Sequence, residues 1–424
     1  MSSQTYQTLR SVFREYYFRY GKTIQSLSDI KRREFAFRYF GPDGEPAWMV
    51  RHLSFGSDGE VIAATLREIP SDLYCSNGYY RFPSNPMQEK EWLGADLIFD
   101  IDTKDLHLSC QSDHSYYVCE SCLQAAKTKQ GLNRCQYCNS HNLVFESIPC
   151  ETCLDSAKKE VRKLLLILVE DFGIGEKDIG IYFSGNNGYH VHVVNPSFRN
   201  LDAQSRSDIA GYVLGRGLLP ETIGVYRRSG GARSKVTTRS PDFKLISNDV
   251  KNVANSHRKS WTFRDGESGQ NNFVVRFPRN GLKYGWQKRL SLGLGKKGLI
   301  ESKLKNIVQQ RGGYYGFRID LERIGKELGV NIDPQVTMDI HRVFRLPGSL
   351  NSKSGLTKMK CSNLDSFSPL DDACLLSETE TKVKIKTSVR LMLKGQTFRL
   401  NETITSLPAY AAIYLVCKKL ATII

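Results

Sequence analysis

The sequence contains no run of about 18 apolar residues, so no segment reads as a membrane-crossing helix. Met1 to Arg10 lacks the apolar core of a secretory signal. These two absences predict a soluble intracellular protein of the cytoplasm or nucleoid, with no membrane partner. There is no internal repeat and no long low-complexity tract, which argues against solenoids and disordered chains. Cysteine is scarce outside one stretch: seven of the 11 fall between Cys110 and Cys153, leaving only Cys75, Cys361, Cys374 and Cys417, which read as ordinary buried thiols. A disulfide scaffold would spread its bridges through a small domain, so the clustering points to metal ligation instead. Acidic residues are outnumbered, 44 against 60 Lys and Arg, and the net charge of +16 favours a polyanionic partner whose phosphates release counterions on neutralisation.

What is present is enough for a globular protein. With 424 residues, 40% of them hydrophobic, the chain can bury at least one large core in two or three sub-domains. Phe13, Tyr16, Tyr17 and Tyr20 mark an aromatic-rich amphipathic helix. From Arg33 to Phe82 short strand-like runs are broken by turns at Gly41-Pro42-Asp43-Gly44 and Gly56-Ser57-Asp58-Gly59. Ala95 to Asp102 reads as a strand. Val161, Leu164, Leu165 and Leu168 recur at helical spacing before a stop at Gly173. Ile179 to Phe183 and Tyr189 to Val194 form an expected hairpin around Ser-Gly-Asn-Asn-Gly. Residues 206–330 mix helical stretches with basic loops (Arg227, Arg228, Arg233, Lys235, Arg239) and a polar linker from Asp265 to Asn272. After Gly355 come an alternating run, Lys382 to Lys386, and an apolar helix near Ala409 to Leu420.

Strand periodicity puts Asp100 and Asp102 on one face of Leu97-Ile98-Phe99-Asp100-Ile101-Asp102, with Leu97, Phe99 and Ile101 on the other. Two neighbouring carboxylates repel, and a hard divalent cation with oxygen ligands relieves that repulsion. A solvated strand end is the competing reading. Cys119-x-x-Cys122 and Cys135-x-x-Cys138 have the spacing of a tetrahedral zinc ribbon, whose closed four-thiolate shell is structural. A third pair, Cys150-x-x-Cys153, leads into a helix at Leu154; its expected partners are Cys110 and His114, with His107 and His141 as competitors.

Five blocks in order, over roughly residues 30 to 356, resemble the archaeo-eukaryotic primase family and its catalytic small subunits. They are Arg33-Glu34-Phe35-Ala36-Phe37 with Val50 to Phe55 and Leu73 to Ser76; Phe99-Asp100-Ile101-Asp102; Ser184-Gly185-Asn186-Asn187-Gly188-Tyr189-His190; Ile332 to Thr337; and Arg345 to Leu350. The resemblance implies that Asp100, Asp102 and Asp333 hold Mg2+ or Mn2+, and that Ser184 and His190 contact the phosphates of an incoming nucleoside triphosphate. Glu34 and Arg51 would line that pocket, and Arg345 would supply it a fixed positive charge. Read without the flanking blocks, Asp333 is a helix cap, Ser184 a hairpin residue, His190 a half-buried strand histidine and Arg51 a surface-strand arginine. The sequence departs from the family at Asn351, where a histidine is common, and at Asn186 and Asn187, where arginine is common.

The expected fold is α/β (α+β): a mixed sheet bearing the aspartate triad with flanking helices, a zinc-binding insert and a helical sub-domain. The expected division is 1–106, first half of the catalytic core; 107–153, zinc insert; 154–205, core continued; 206–330, basic and partly helical; 331–360, final catalytic segment; 361–424, C-terminal extension. The implied function is metal-dependent, template-directed synthesis of short RNA or DNA primers on single-stranded DNA during replication, by a nucleotidyltransferase. The implied partner is a large subunit carrying an iron-sulfur domain, in a heterodimer, since no iron-sulfur motif remains once the C-x-x-C cysteines are assigned to zinc. A primase-polymerase of repair or of a mobile element is the alternative within the superfamily. A zinc-containing nucleic-acid-binding protein without chemistry is the alternative outside it, and it would need no convergence of Asp100, Asp102 and Asp333.

Overall fold

A computed structural model describes residues 3–24, 28–41, 46–128, 132–227, 273–276, 285–294 and 301–424. The basic positions Arg228, Arg233, Lys235 and Arg239, the linker 265–272 and most of the turn at 41–44 lie outside the described residues. The chain divides into two compact units, one of residues 1–162, 175–203 and 332–424, the other of 163–174 and 204–331.

In the first unit the apolar runs build two four-stranded antiparallel sheets rather than one mixed sheet. One sheet has the order Val343–Arg345, Asp72–Ser76, Phe35–Phe40, Pro46–Leu53. The other has the order Met359–Lys360, Ile179–Phe183, Gly188–Val193, Leu97–Asp102. Both repeat one device. Pro46–Leu53 and Asp72–Ser76 run parallel to each other, are joined through the helix Asp58–Glu68, and flank an antiparallel central strand. Leu97–Asp102 and Ile179–Phe183 do the same through the helix Glu151–Glu170, with Gly188–Val193 between them. Each is a split β-α-β unit. Nothing in the sequence announces the repetition, because the two halves share topology and not residues.

Local chemistry accounts for the elements. The N-terminal helix Ser3–Tyr20 buries Leu9, Phe13, Tyr16 and Tyr17, a stripe at helical spacing, and Phe13 meets Phe40 edge-on at 4.9 Å between ring centres. Ser57 caps Asp58–Glu68 by accepting from the Glu60 amide. The strand expected over Ala95 to Asp102 is broken at Asp96, where the backbone amide leaves the ladder for the Asn77 carbonyl. The break has a purpose in packing: the Asp96 carboxylate is buried with the Arg33 guanidinium at 2.6 Å and accepts from the Tyr79 hydroxyl at 2.8 Å.

The segment after Lys360 closes the unit with the strands Ile404–Pro408, Glu380–Ile385 and Ala421–Ile423, in that order, and a hairpin of Val389–Leu393 with Gln396–Leu400. Its apolar helix, Ala409–Cys417, is buried from Ala409 through Val416. The second unit gathers Trp286, Leu290, Leu304, Phe317 and Leu321 into its own core, with the helices Gly285–Gly293, Glu301–Gln310 and Gly313–Leu328. Among the described residues no helix is long and apolar enough to cross a membrane.

Candidate active site and metal centres

Register brings the first site together. Gly188–Val193 pairs antiparallel with Leu97–Asp102 so that His190 lies opposite Asp100 and Gly188 opposite Asp102. His190 Nε2 stands 3.5 Å from Asp100 Oδ1. A Cβ at Gly188 would sit 2.1 Å from the Ile101 carbonyl oxygen, so only glycine lets the loop lie this close to the acid strand. Asp333 arrives from far along the chain: its amide donates to the Asp100 carbonyl at 3.0 Å, and its Oδ1 caps the short helix Pro334–Met338 through the Gln335 amide. Below the acids, Ile98 on the acid-bearing face is buried against Val336 and Phe344, which seals the floor between the two sheets.

The electrostatics follow from that crowding. Burial first, then the charges of Asp102 and Asp333, push the Asp100 carboxyl up from its ordinary 3.8 to about 7. Asp105, also raised by burial, feels Asp102 and Asp333 and makes a fourth acid of the neighbourhood. Lys358, fully buried, reaches His190 Nδ1 at 3.2 Å and His192 Nε2 at 3.3 Å, and burial with the nearby Arg345 charge brings it down to about 7. When Lys358 is an ammonium it only donates, so His190 Nδ1 then accepts and the ring proton sits on Nε2, on the side of Asp100. Burial and the charge of Lys358 hold both histidines neutral, well below the usual range, helped at His190 by Arg345 and Arg342 and at His192 by His190 and Arg33.

The other candidate residues divide by what they touch. Arg51, a third exposed, makes a two-pronged pair with buried Glu34, at 2.8 Å from Nε and 3.2 Å from Nη2. Burial would raise the Glu34 carboxyl, but Arg51 and Lys90 outweigh it and hold it low. Glu34 is thus a brace for two cations. Arg345 Nη1 stands 2.5 Å from Asp72 Oδ1 and donates to the Leu350 carbonyl at 2.7 Å, while Asp72 also accepts from the Ser352 amide and hydroxyl. Arg345 is therefore a buried structural ion pair as well as a fixed charge beside His190. Ser184 Oγ accepts from the amides of Asn186 and Gly188, each at 3.3 Å, and shapes its own loop. Asn351 braces the same loop from its Nδ2 to the Ser184 carbonyl at 3.4 Å. Asp72 and Lys358 carry no signal in the sequence, since nothing local marks a lone Asp or Lys as buried.

Two sets of side chains are placed so that they could hold a metal ion, and among the described residues they are the groups whose ligand atoms all lie within 4.8 Å; Asp100, Asp102 and Asp333 do not form so tight a set. In the first, Cys119 and Cys138 sulfurs are 3.5 Å apart and Cys122 and Cys135 3.7 Å. In the second, Cys110 to Cys153 is 3.6 Å, Cys110 to Cys150 3.9 Å, Cys150 to Cys153 3.8 Å, and His114 Nε2 lies 3.3 Å from Cys153. Thiolates about 2.3 Å from a tetrahedral ion stand about 3.8 Å from each other, so both sets fit one. The knuckles are built alike: Leu123 and Asn139, each following a C-x-x-C pair, adopt left-handed φ of 59° and 62° and return their amides to Cys119 and Cys135. His141 instead faces the Asn133 carbonyl, and His107 lies outside both sets.

Comparison with known proteins agrees in kind. Residues 146–360 match a family model described as DNA primase small subunit. Over its whole length the chain is 37% identical to the whole of a DNA primase small subunit of Nitrosopumilus maritimus. It is 38% identical to that of Cenarchaeum symbiosum, covering 98% of this chain and 97% of the relative. The protein of the same name from Methanococcoides burtonii is 34% identical, over 99% of this chain and 98% of its own.

Proposed function

The chain belongs to the DNA primase small-subunit family, and on that premise we propose that it is a metal-dependent nucleotidyltransferase that starts short RNA or DNA strands on single-stranded DNA. The observation that carries the reading is that Asp333, more than two hundred positions along the chain, donates its amide to the Asp100 carbonyl and adds with Asp102 to the charge that raises the Asp100 carboxyl, beside the neutral His190. Two Mg2+ or Mn2+ ions held by these carboxylates would activate the primer 3′-oxygen and offset the charge of the triphosphate. The chain's own groups do the rest. His190 presents Nε2–H to a phosphate oxygen, Arg345 and Lys358 set a positive field behind it, and Arg51, held by Glu34, faces the same nucleotide. Because the chemistry is positioning and charge compensation, a rigid sheet edge suits it. Ser184 would meet a phosphate through its hydroxyl hydrogen while its Oγ orders the loop by accepting from the Asn186 and Gly188 amides.

The two cysteine-rich sets would hold structural Zn2+, one in Cys119, Cys122, Cys135 and Cys138, the other in Cys110, His114, Cys150 and Cys153. Residues 1–106, 154–205 and 331–360 make up the catalytic core in this reading, interrupted by the zinc insert 107–153 and the basic region 206–330 and extended by 361–424. The partners are a DNA template, nucleoside triphosphates and a large subunit bearing an iron-sulfur domain, in an intracellular heterodimer. The test is primer synthesis by the purified chain on single-stranded DNA with Mg2+ or Mn2+, with and without the large subunit. Extended products support the assignment; DNA binding with no product in either condition leaves a binding module.

His190→Ala should raise the nucleotide concentration for half-maximal rate about tenfold, as loss of one charge-assisted hydrogen bond does. Single-stranded DNA affinity should hold, because it draws on many dispersed cations. Arg345→Ala should show the same nucleotide defect and also lose thermal stability, since it strands buried Asp72, whereas Arg345→Lys should recover much of both. Weakened DNA binding with unchanged nucleotide dependence would move these residues to the template groove.

A further inference from the structure

The asparagine pair of the loop between Ser184 and Gly188 is met by a lysine from the far end of the chain. Lys418, wholly buried just beyond the helix Ala409–Cys417, donates from Nζ to Asn186 Oδ1 at 2.7 Å and lies 3.4 Å from Asn187 Oδ1. Because an ammonium has only donors, the amide atom facing it in both asparagines must be the oxygen. That choice fixes the other half of each amide. Asn187 Nδ2 turns to Ser147 Oγ at 2.9 Å, on the strand Leu143–Ser147, and the main-chain carbonyl of Asn187 receives the Thr103 amide just after Asp102. Asn186 is only half-buried, and its Nδ2 has no partner among the described residues.

We propose that Lys418 is a positioning residue of the nucleotide pocket, which turns the Asn186 amide so that its N–H donors face the triphosphate and supplies from the C-terminal segment a positive charge close behind them. The proposal rests on the reading of the Ser184–Gly188 loop as the phosphate-contacting loop. Glu146, 3.9 Å from Nζ, is the nearest carboxylate, and Asp102 adds a second negative charge; both oppose the effect of burial, which lowers the lysine below its ordinary range. Across the lysine sit the Tyr414 ring, 5.8 Å away, and the charge of Lys353. The cation therefore has a built cage and is not a stray surface group. Asn186 and Lys418 together would offer a phosphate N–H donors with a positive charge set back by one amide.

The test is steady-state primer extension by the full chain with Lys418→Met, which keeps the stem and removes the donor. The expected result is a rise of about fivefold to tenfold in the nucleotide KM with kcat close to that of the unaltered chain, beside some loss of thermal midpoint from the oxygens left without their cation. Asn186→Asp serves as a second variant: it keeps the acceptor for Lys418 but removes the Nδ2 donors, so it should raise KM at least as far without loss of stability. In the double variant Lys418→Met with Asn186→Ala, the lysine change should add less to the asparagine change than it costs alone. A Lys418→Met protein with a lowered midpoint and unchanged KM would make the lysine a structural cage member and overturn the proposal. If His190→Ala raises KM and Lys418→Met and Asn186→Asp do not, the proposal fails and the reading of the loop stands; if His190→Ala also leaves KM unchanged, it is the loop reading that has failed.

Discussion

Alanine at Asp100 or Asp102 should reduce nucleotide incorporation to background, a loss of about 10²–10³-fold or more, as removal of one preorganised electrostatic group at a reacting centre does. The fold should survive. Neither carboxylate anchors packing: Asp102 caps a single turn through the Lys104 amide, and Asp100 faces His190 and the other acids. Removing Asp100 should even help the protein in buffer free of Mg2+ and Mn2+. Its carboxyl is raised to about 7 in the folded chain from 3.8, so between those values the folded state holds a proton that the unfolded state has released. Stability therefore falls as pH rises through that window, and Asp100→Asn abolishes the fall. Denaturant unfolding at pH 5 and pH 8 checks the sign: the unaltered chain should lose more stability between them than Asp100→Asn does. Near wild-type incorporation by Asp100→Ala in saturating Mn2+ would refute the triad.

Purified protein should carry close to two zinc ions per chain, and removing them should have the second large effect. Apparent binding energies at structural zinc sites of small domains are about 10–16 kcal/mol, comparable to the whole stability of a domain. Cys135→Ser should lower the content to one ion and unfold the ribbon, where Tyr117, Cys119, Ala126 and Cys135 make a small cluster that is no core without its ion. Cys153→Ser should also lower it to one, at greater cost to activity. Cys153 is buried in the first turn of Glu151–Glu170, and the segment between the two sets carries Glu146, which faces Lys418, and Ser147, whose hydroxyl accepts from Asn187 of the loop. Elemental analysis finding one zinc would reject the second set, and finding none would reject both.

Short-range chemistry was legible in the residues themselves. The alternation in Leu97 to Asp102 suffices to put two acids on one face, because a strand has period two whatever surrounds it. The C-x-x-C spacings suffice to pair the cysteines of the ribbon, since the knuckle is a local turn. The Ser-Gly-Asn-Asn-Gly hairpin and the apolar C-terminal helix follow from turn chemistry and hydropathy in the same way. Only tertiary structure could decide which distant groups meet these. One expected sheet became two, since register and the β-α-β crossings depend on long-range pairing and leave no periodic trace. It set His190 opposite Asp100, gave Arg345 to Asp72, put Lys358 beneath both histidines and brought Lys418 to the asparagine loop. Local sequence determines the direction in which a side chain leaves its backbone; burial and the partner it finds there depend on the whole chain having folded.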